Sequence, residues 1–390
     1  MLALVGVVTQ SVLRGKVLEF PNSLPFSKQF LIPGNYVVGS VDLLPTSNPT
    51  TFVSGTIPIS GVPSTAEILS AFLYWETIST NSSQNDGAQF RGKDVEAVKK
   101  TSQVLIPSLS PCWTGGGQNT NTYTMTAYRA DVLRDLPRVK DANGVATGRI
   151  LVNSDELAAN GYGPNTVTLP ERGSGNVVPQ SAGASLFIVY RDLTQPLTSI
   201  TVYDGLYTQA PGVAFVQPFR GVFQSSASHE AKFTLIGGSG ANNTSDRILF
   251  QGTPLVTDAF TSAGSATSDR GWVSPTFGVT SLVPGTDPGD GMGELVTATV
   301  DHTKDTPNDC IAVHAAIYAV SVLDADHDGL PDKLENTLGG MKSPDGKPTP
   351  DLKGMGAGSD RKDLFIEMNA MYAEPGTSYG LGANKITDAD

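Results

Sequence analysis

Short apolar runs separated by turn residues extend along most of this chain. The runs are rich in β-branched and aromatic side chains and are bounded by Gly, Pro, Asn and Ser, a pattern typical of β-strands. The segments that fit it best are Asn35–Leu43, Thr51–Ile59, Ala66–Thr77, Asn121–Tyr128, Ala184–Tyr190, Ser199–Tyr203, Glu230–Ile236, Arg247–Phe250, Glu294–Val300 and Ile311–Leu323. Short helices are predicted at 130–135 and 154–159. The pattern predicts an all-β protein, an antiparallel β-sandwich or jelly roll over residues 31–322.

The amino-acid composition supports the all-β class and limits the kinds of partner that the protein is expected to bind. The 390 residues include 42 Gly and 26 Pro, and only 16% are charged, as expected for a β-protein with many turns. The length leaves room for two subdomains within 31–322. A formal charge of −12 argues against nucleic acid and anionic membranes as partners. No apolar run is long enough to span a bilayer.

One stretch near the C-terminus has carboxylates at the spacing of a calcium-binding loop. It reads Asp324-Ala-Asp-His-Asp-Gly-Leu-Pro-Asp-Lys-Leu-Glu335 and meets the acidic and glycine positions of the EF-hand loop. Calcium requires six to eight oxygens, and so many protein oxygens disfavour magnesium. The predicted ligands are the side chains of Asp324, Asp326, Asp328, Glu335 and, directly or through water, Asp332, together with the backbone carbonyl of Leu330.

The surroundings of this loop favour a structural site over a sensor. The preceding residues, Ile311–Leu323, have the pattern of a strand, and a helix is predicted from Asp332 to Leu338. A calcium-sensing EF-hand has a helix on each side of its loop and opens when it binds calcium. Five carboxylates offset only by Lys333 would repel one another without a cation. We therefore expect a calcium loop-helix module at 323–340, with an acidic turn that caps a helix as the alternative.

The N-terminus forms an apolar arm, assigned to residues 1–30. Leu2, Leu4, Val8 and Val12 share one parity of an extended chain and would line one face of a strand. The stretch lacks a basic region ahead of it and makes a poor signal peptide. The arm is expected to be a strand of its own domain or one donated to a neighbouring copy.

The two cysteines, Cys112 and Cys310, lie far apart in the chain. In a secreted protein they would close a long loop as a disulfide. The disulfide is favoured, because two cysteines leave no thiol-based metal site as an alternative. The other possibility is a pair of buried free thiols.

Several motifs resemble those of a broad class of secreted bacterial β-sandwich surface proteins. Members of this class often follow the sandwich with an EF-hand-like calcium loop of the thrombospondin type 3 or dockerin kind and a Lys-Asp-Leu-Phe-x-Glu motif. The likeness covers roughly residues 35–371 and rests on Gly61–Trp75, Pro111–Trp113, Tyr128–Val132, Gly183–Asp192, Val202–Gly205 and Lys362–Glu367. It implies a scaffold rather than an activity. Residues 341–360 are predicted to be a linker and 361–390 a C-terminal segment that resumes as a strand or short helix.

No assembled catalytic motif is present. The four histidines are scattered, and His314 lies within an apolar strand, as a core residue would. A glycosidase would need paired carboxylates, for which Glu76, Glu171 and Glu230 are candidates. A sugar-binding platform could use Trp75, Trp113 and Trp272.

The sequence therefore favours a non-enzymatic function. The leading prediction is an extracellular, calcium-stabilised structural protein: a surface, adhesive or fibre-forming subunit that self-associates through β-strand contacts. The alternatives are a carbohydrate-binding module, with glycans as partners, and a sandwich-fold glycoside hydrolase.

Overall fold

The computed structural model of the protein describes residues 21–43, 52–80, 87–105, 123–171, 178–209, 212–223, 230–240, 246–260, 271–283, 285–301 and 311–366. The strands in these ranges are β1 (Phe26–Asp42), β2 (Phe52–Thr56), β3 (Glu67–Ser79), β4 (Gln89–Phe90), β5 (Lys93–Asp94), β6 (Lys99–Leu105), β7 (Tyr123–Asp131), β8 (Arg138–Lys140), β9 (Ala146–Ile150), β10 (Thr166–Pro170), β11 (Gly183–Arg191), β12 (Leu197–Gln209), β13 (Phe215–Phe219), β14 (Ala231–Gly240), β15 (Arg247–Phe250), β16 (Thr253–Thr257), β17 (Gly271–Val273), β18 (Thr276–Gly278), β19 (Val296–Asp301) and β20 (Ile311–Ser321). The helices are α1 (Ser154–Ala159) and α2 (Asp332–Asn336), with 3-10 turns at Leu133–Asp135 and Thr280–Leu282.

The predicted all-β class is confirmed, because the strand pairs of the described residues are antiparallel. A large sheet has the order β17-β14-β20-β12-β1-β11-β3-β7-β6, with β18 also paired to β14. Two four-stranded sheets accompany it, β2-β10-β4-β5 and β13-β19-β15-β16. Helix α1 has the predicted bounds, whereas the helix predicted at 130–135 is the end of β7 followed by a 3-10 turn.

Strand β1 joins the two halves of the large sheet. Its first part, up to Pro33, pairs with β12, and its second part, from Gly34, pairs with β11. Gly34 has φ +154, and a Cβ there would lie 2.2 Å from the carbonyl oxygen of Tyr190, so this crossing requires glycine. The predicted N-terminal arm is corrected at its end, because Phe26–Phe30 belong to β1; residues 1–20 lie outside the described residues.

The two halves of the large sheet pack face to face and form a middle core. Alternating side chains explain how, since residues of one strand point to opposite faces. In β11, Leu186 and Ile188 face the core shared with the β2-β10-β4-β5 sheet, whereas Phe187 faces the middle core. In β20, Tyr318 faces the core shared with the β13-β19-β15-β16 sheet, whereas Ile317 faces the middle core. The protein is therefore two β-sandwiches stacked through their inner sheets. The first sandwich contains the β2-β10-β4-β5 sheet, and the second sandwich contains the β13-β19-β15-β16 sheet.

The middle core also contains polar contacts between the halves. His314 of β20 and Glu76 of β3, 1% and 0% exposed, approach to 2.5 Å between Nε2 and Oε2. The Trp272 indole donates to Ser185 Oγ at 2.8 Å. Buried polar groups need such partners, so these contacts fix how the two sandwiches face one another.

Residues 341–357 are folded against the second sandwich, which corrects their prediction as part of a linker. Met341, Leu352 and Ala357 are buried in one apolar cluster with Phe223 and Leu334. The Gly and Pro residues that suggested a linker instead set a series of turns. Residues 363–366 have neither strand nor helix. Neither helix of the described ranges is long and apolar enough to cross a membrane.

Candidate metal centre

The acidic loop lies between the end of β20 and helix α2, and its carboxylates converge in two groups. One group contains Asp324, Asp326 and Asp328, and the other contains Asp328, Glu335 and Asp363. Within each group the candidate ligand oxygens lie within 4.8 Å of one another. Such a cluster of oxygens on one side of a turn is what a hard cation such as calcium requires.

Backbone amides of the loop set its shape. Asp324 accepts hydrogen bonds from the amides of Asp328 and Gly329, both at 3.1 Å. Gly329 has φ +95, which a residue with a side chain rarely adopts, and the chain turns sharply there. Leu330 donates its amide to Asp328 Oδ1 at 2.8 Å. The sequence therefore folds so that alternate aspartates point to the same side.

Glu335 is the most informative side chain of the site. It is fully buried, at 0% exposure, and neither of its carboxylate oxygens has a hydrogen-bond partner among the described residues. Burial, then the charges of Asp328, Asp326, Asp332 and Asp363, raise the pKa of Glu335 to about 7. A buried carboxylate without a partner is strongly unfavourable, so either a proton or a cation has to neutralise this group.

Asp326 repeats this feature at the other side of the loop. Its residue as a whole is only partly buried, yet both carboxylate oxygens are inaccessible to water and lack a hydrogen-bond partner among the described residues. Burial and the neighbouring carboxylates Asp328 and Asp324 raise the pKa of Asp326. The side chain thus points into the loop rather than into solvent.

Lys333 does not neutralise the loop, although the sequence suggested that it offsets the charge. Its ammonium lies 2.7 Å from Glu294 Oε1 and 3.3 Å from Asp287 Oδ2, on the segment that precedes β19. These ion pairs raise the pKa of Lys333 against the effect of burial and attach α2 to the second sandwich. Among the described residues, Arg361 is the only basic residue that pairs with a carboxylate of the two groups, and it lies 3.4 Å from Asp363.

The remaining two predicted ligands have different positions. Asp332 Oδ1 accepts the amide of Ala325 at 2.8 Å, and Asp332 belongs to neither group of converging carboxylates in the described ranges. Its coordination through water stays a prediction. Leu330 is partly buried beside the loop, and its carbonyl likewise stays a predicted ligand.

Asp363 was not among the predicted ligands. It lies outside the twelve-residue pattern, so loop spacing alone could not find it. The signal that could have found it is the Lys-Asp-Leu-Phe-x-Glu motif, whose Asp is residue 363. Its amide donates to Asp328 Oδ2 at 2.8 Å, across 35 positions of the chain.

The candidate catalytic carboxylates lie in three different surroundings. Glu76 is buried against His314, and Glu171 is buried and accepts the amide of Ser181 at 2.9 Å. Glu230 is exposed at the start of β14. A glycosidase requires two carboxylates facing a sugar-sized groove, and two of these three are sealed in the interior.

The described tryptophans do not form a sugar-binding surface. Trp75 is fully buried and stacks on Tyr128, with ring centroids 5.0 Å apart. Trp272 is 2% exposed. Trp113 lies outside the described residues, as do both partners of the predicted disulfide, Cys112 and Cys310.

A polar cleft of about 220 Å³ opens where β1, β12, β14 and β20 meet, with Thr198, Glu230 and Ser321 in its lining. Lys232 also lines it and donates from Nζ to the carbonyl oxygen of Tyr36 at 2.5 Å, with the Tyr36 ring centroid 4.2 Å away. Burial lowers the pKa of Lys232 to about 8, although Glu230 acts in the other direction. The amine is therefore a partly buried charge with no carboxylate in ion-pair contact among the described residues.

No protein-family model and no curated protein matches this chain. One solved structure, a chain of the Sputnik virophage determined by cryo-EM, is similar at 10% identity. The similarity covers 82% of this chain and 90% of that chain, with a TM-score of 0.14. Such a TM-score carries no argument about fold or function.

Proposed function

We propose that this protein is a calcium-stabilised structural protein, in which the ion fixes the C-terminal module to the end of a double β-sandwich. The observation that carries the proposal is Glu335, fully buried with both oxygens unpartnered beside Asp326 and Asp328. A divalent cation would satisfy these oxygens and remove the repulsion between the carboxylates. Calcium is the ion that suits so many oxygens on a flexible loop.

The structural character of the site supports stabilisation rather than signalling. Strand β20 precedes the loop, so there is no first helix for an EF-hand opening. Helix α2 is attached to the second sandwich through Lys333 and Glu294. An ion in this position would fasten α2 and its neighbours without a large rearrangement.

The setting and assembly of the protein belong to the same proposal. Extracellular calcium concentrations suit a carboxylate loop. The low proportion of charged residues and the strand-rich fold suit a surface, adhesive or fibre-forming subunit. Strand β2 lies at the edge of its sheet and carries neither charge nor proline, the two features that commonly block strand addition. Deleting Met1–Leu13 should abolish self-association if that arm is donated; light scattering that gives an unchanged oligomer would remove this part of the proposal.

Calcium binding is tested by changing both ends of the loop. The double variant Asp324→Ala and Glu335→Ala should lose the calcium-dependent rise in melting temperature that the unchanged protein shows. Asp345→Ala is a suitable control, because Asp345 is an acidic residue that lies shortly after the loop-helix module and is paired with Lys347. A wild-type melting temperature that is equal in calcium and in EGTA would contradict the proposal.

A further inference from the structure

Asp363 reaches the acidic loop from outside it. Its carboxylate lies within 4.8 Å of those of Asp328 and Glu335. Its amide donates to Asp328 Oδ2 at 2.8 Å, so backbone and side chain of this residue both face the loop. The carboxylate it approaches, that of Glu335, has no hydrogen-bond partner among the described residues.

The loop itself leaves a coordination position for such a group. In an EF-hand pattern, position 9 usually reaches calcium through water, and Asp332 occupies it here. The Asp332 carboxylate is engaged by the amide of Ala325 and stands apart from the converging groups of the described residues. A carboxylate from elsewhere in the chain can then supply the missing oxygen.

Local contacts hold Asp363 in place without using its capacity to bind an ion. Gly358 donates its amide to Oδ2 at 2.9 Å, and Arg361 Nε lies 3.4 Å from Oδ1. An ionised carboxylate has about four lone-pair sites on its two oxygens. Each oxygen can therefore accept one of these contacts and still face a cation.

The chain between α2 and Asp363 depends on few apolar contacts. Met341, Leu352 and Ala357 pack on Phe223 and Leu334, and Phe365 is partly buried against the same cluster. Most other residues of the segment lie in turns or irregular chain and are exposed or partly exposed, although Pro344 is also buried. Segments with little buried apolar surface open readily. A contact between Asp363 and a bound ion, at the end of this segment, would therefore have a large effect on the order of the segment.

We propose that Asp363 is a ligand of the calcium ion and that the bound ion closes residues 341–366 onto the second sandwich. This inference rests on the proposed calcium function and extends it. The ion would join the end of β20, helix α2 and the returning chain at one point. Calcium would thus control the order of the segment through which the chain leaves the sandwich.

Asp363→Asn tests this in the full chain, with Asp360→Asn as the matched control. Asparagine keeps an acceptor for the Gly358 amide but loses the charge, and Asp360 is an exposed carboxylate outside both converging groups of the described residues. Two measurements are made: calcium affinity by titration calorimetry, and tryptic cleavage at Lys353, Arg361 and Lys362 by mass spectrometry, with calcium or EGTA.

Calcium should slow cleavage at these three sites in the unchanged protein. Asp363→Asn should weaken calcium binding about tenfold or more and remove the protection, while Asp360→Asn should keep it. If the unchanged protein binds calcium and Asp363→Asn binds it equally well with equal protection, the inference is overturned and the calcium function stands. If the unchanged protein does not bind calcium, both are overturned.

Discussion

Glu76 and Glu335 are both fully buried, and their surroundings differ in one respect. Glu76, between the stacked sandwiches, has His314 at 2.5 Å. Glu335, in the C-terminal module, has no hydrogen-bond partner among the described residues and lies among further carboxylates. A buried charge is stable only when it is paired or coordinates a metal. Glu76 thus has a partner within the protein, whereas we propose that Glu335 takes an ion from solution as its partner.

The largest effect is expected from breaking the pair in the middle core. Glu76→Gln or His314→Gln leaves one member of a buried pair behind, which costs about 3–5 kcal/mol of unfolding free energy. Urea unfolding in EGTA and in calcium measures it, and the loss should be the same in both. The double variant should lose less than the sum of the single variants. Additive losses below about 1 kcal/mol would mean that the pair is not coupled.

The next largest effect on the free energy of unfolding is expected from calcium binding at the acidic loop. A ligand that binds only the folded state at 100 times its dissociation constant stabilises by about 2.7 kcal/mol. Thermal unfolding with calcium should show this rise. Magnesium at the same concentration should give much less, because it retains its water and prefers fewer protein oxygens. An equal response to both ions would contradict the assignment to calcium.

Lys232 offers a further comparison, because its partly buried amine contacts the carbonyl oxygen and ring of Tyr36 and forms no ion pair among the described residues. Its pKa is lowered from 10.5 to about 8 in the folded protein. Between these values the unfolded chain holds a proton that the folded chain has lost, so its contribution makes the folded state more stable as pH rises from about 8 to 10.5. The slope should not exceed about 1.4 kcal/mol per pH unit for this one proton.

Lys232→Met should flatten the slope between pH 8 and 10.5, as measured by urea unfolding at several pH values. Lys93→Met is a control, because Lys93 is an exposed lysine on the other sandwich with Asp135 as its partner. A slope that persists unchanged in Lys232→Met would show that another group titrates there.

The smallest effect is expected for a change of Lys333. This change tests whether the ammonium of Lys333 offsets the negative charge of the loop carboxylates. Its ammonium pairs with Glu294 and Asp287 and not with the loop. Lys333→Met should therefore lower the unfolding free energy by about 1 kcal/mol and leave calcium affinity nearly unchanged. A rise in calcium affinity of tenfold or more would mean that Lys333 offsets the loop charge after all.

Local sequence signals predicted the local structure well. Strand β15 and helix α1 have the predicted bounds, and the strand before the acidic loop ends within two residues of the prediction, at Ser321 rather than Leu323. Turn residues and apolar alternation act over a few positions, so a single sequence contains them. The end of β7 was mistaken for a helix because its pairing with β3 and β6 overrides local preference.

The long-range features could not be found in this way. The crossing of β1 from one sheet half to the other, the pairing of Glu76 with His314 across 238 positions, and the return of Asp363 to the loop all join distant segments. Of these residues, Asp363 alone has a local sequence signal, the Lys-Asp-Leu-Phe-x-Glu motif. Gly- and Pro-rich turns resemble a linker until their apolar side chains are seen to be buried. The loop carboxylates were predictable because their spacing is itself the signal.

The most direct test of the account is the melting temperature of Glu335→Gln beside the unchanged protein, in EGTA and in calcium. Without calcium, the variant should melt higher, because glutamine removes a buried carboxylate that has no partner. With calcium, the order should reverse, because the unchanged protein gains a bound ion that the variant holds poorly. If Glu335→Gln melts lower in EGTA, or keeps the full calcium-dependent rise, the claim that this carboxylate requires a cation is contradicted.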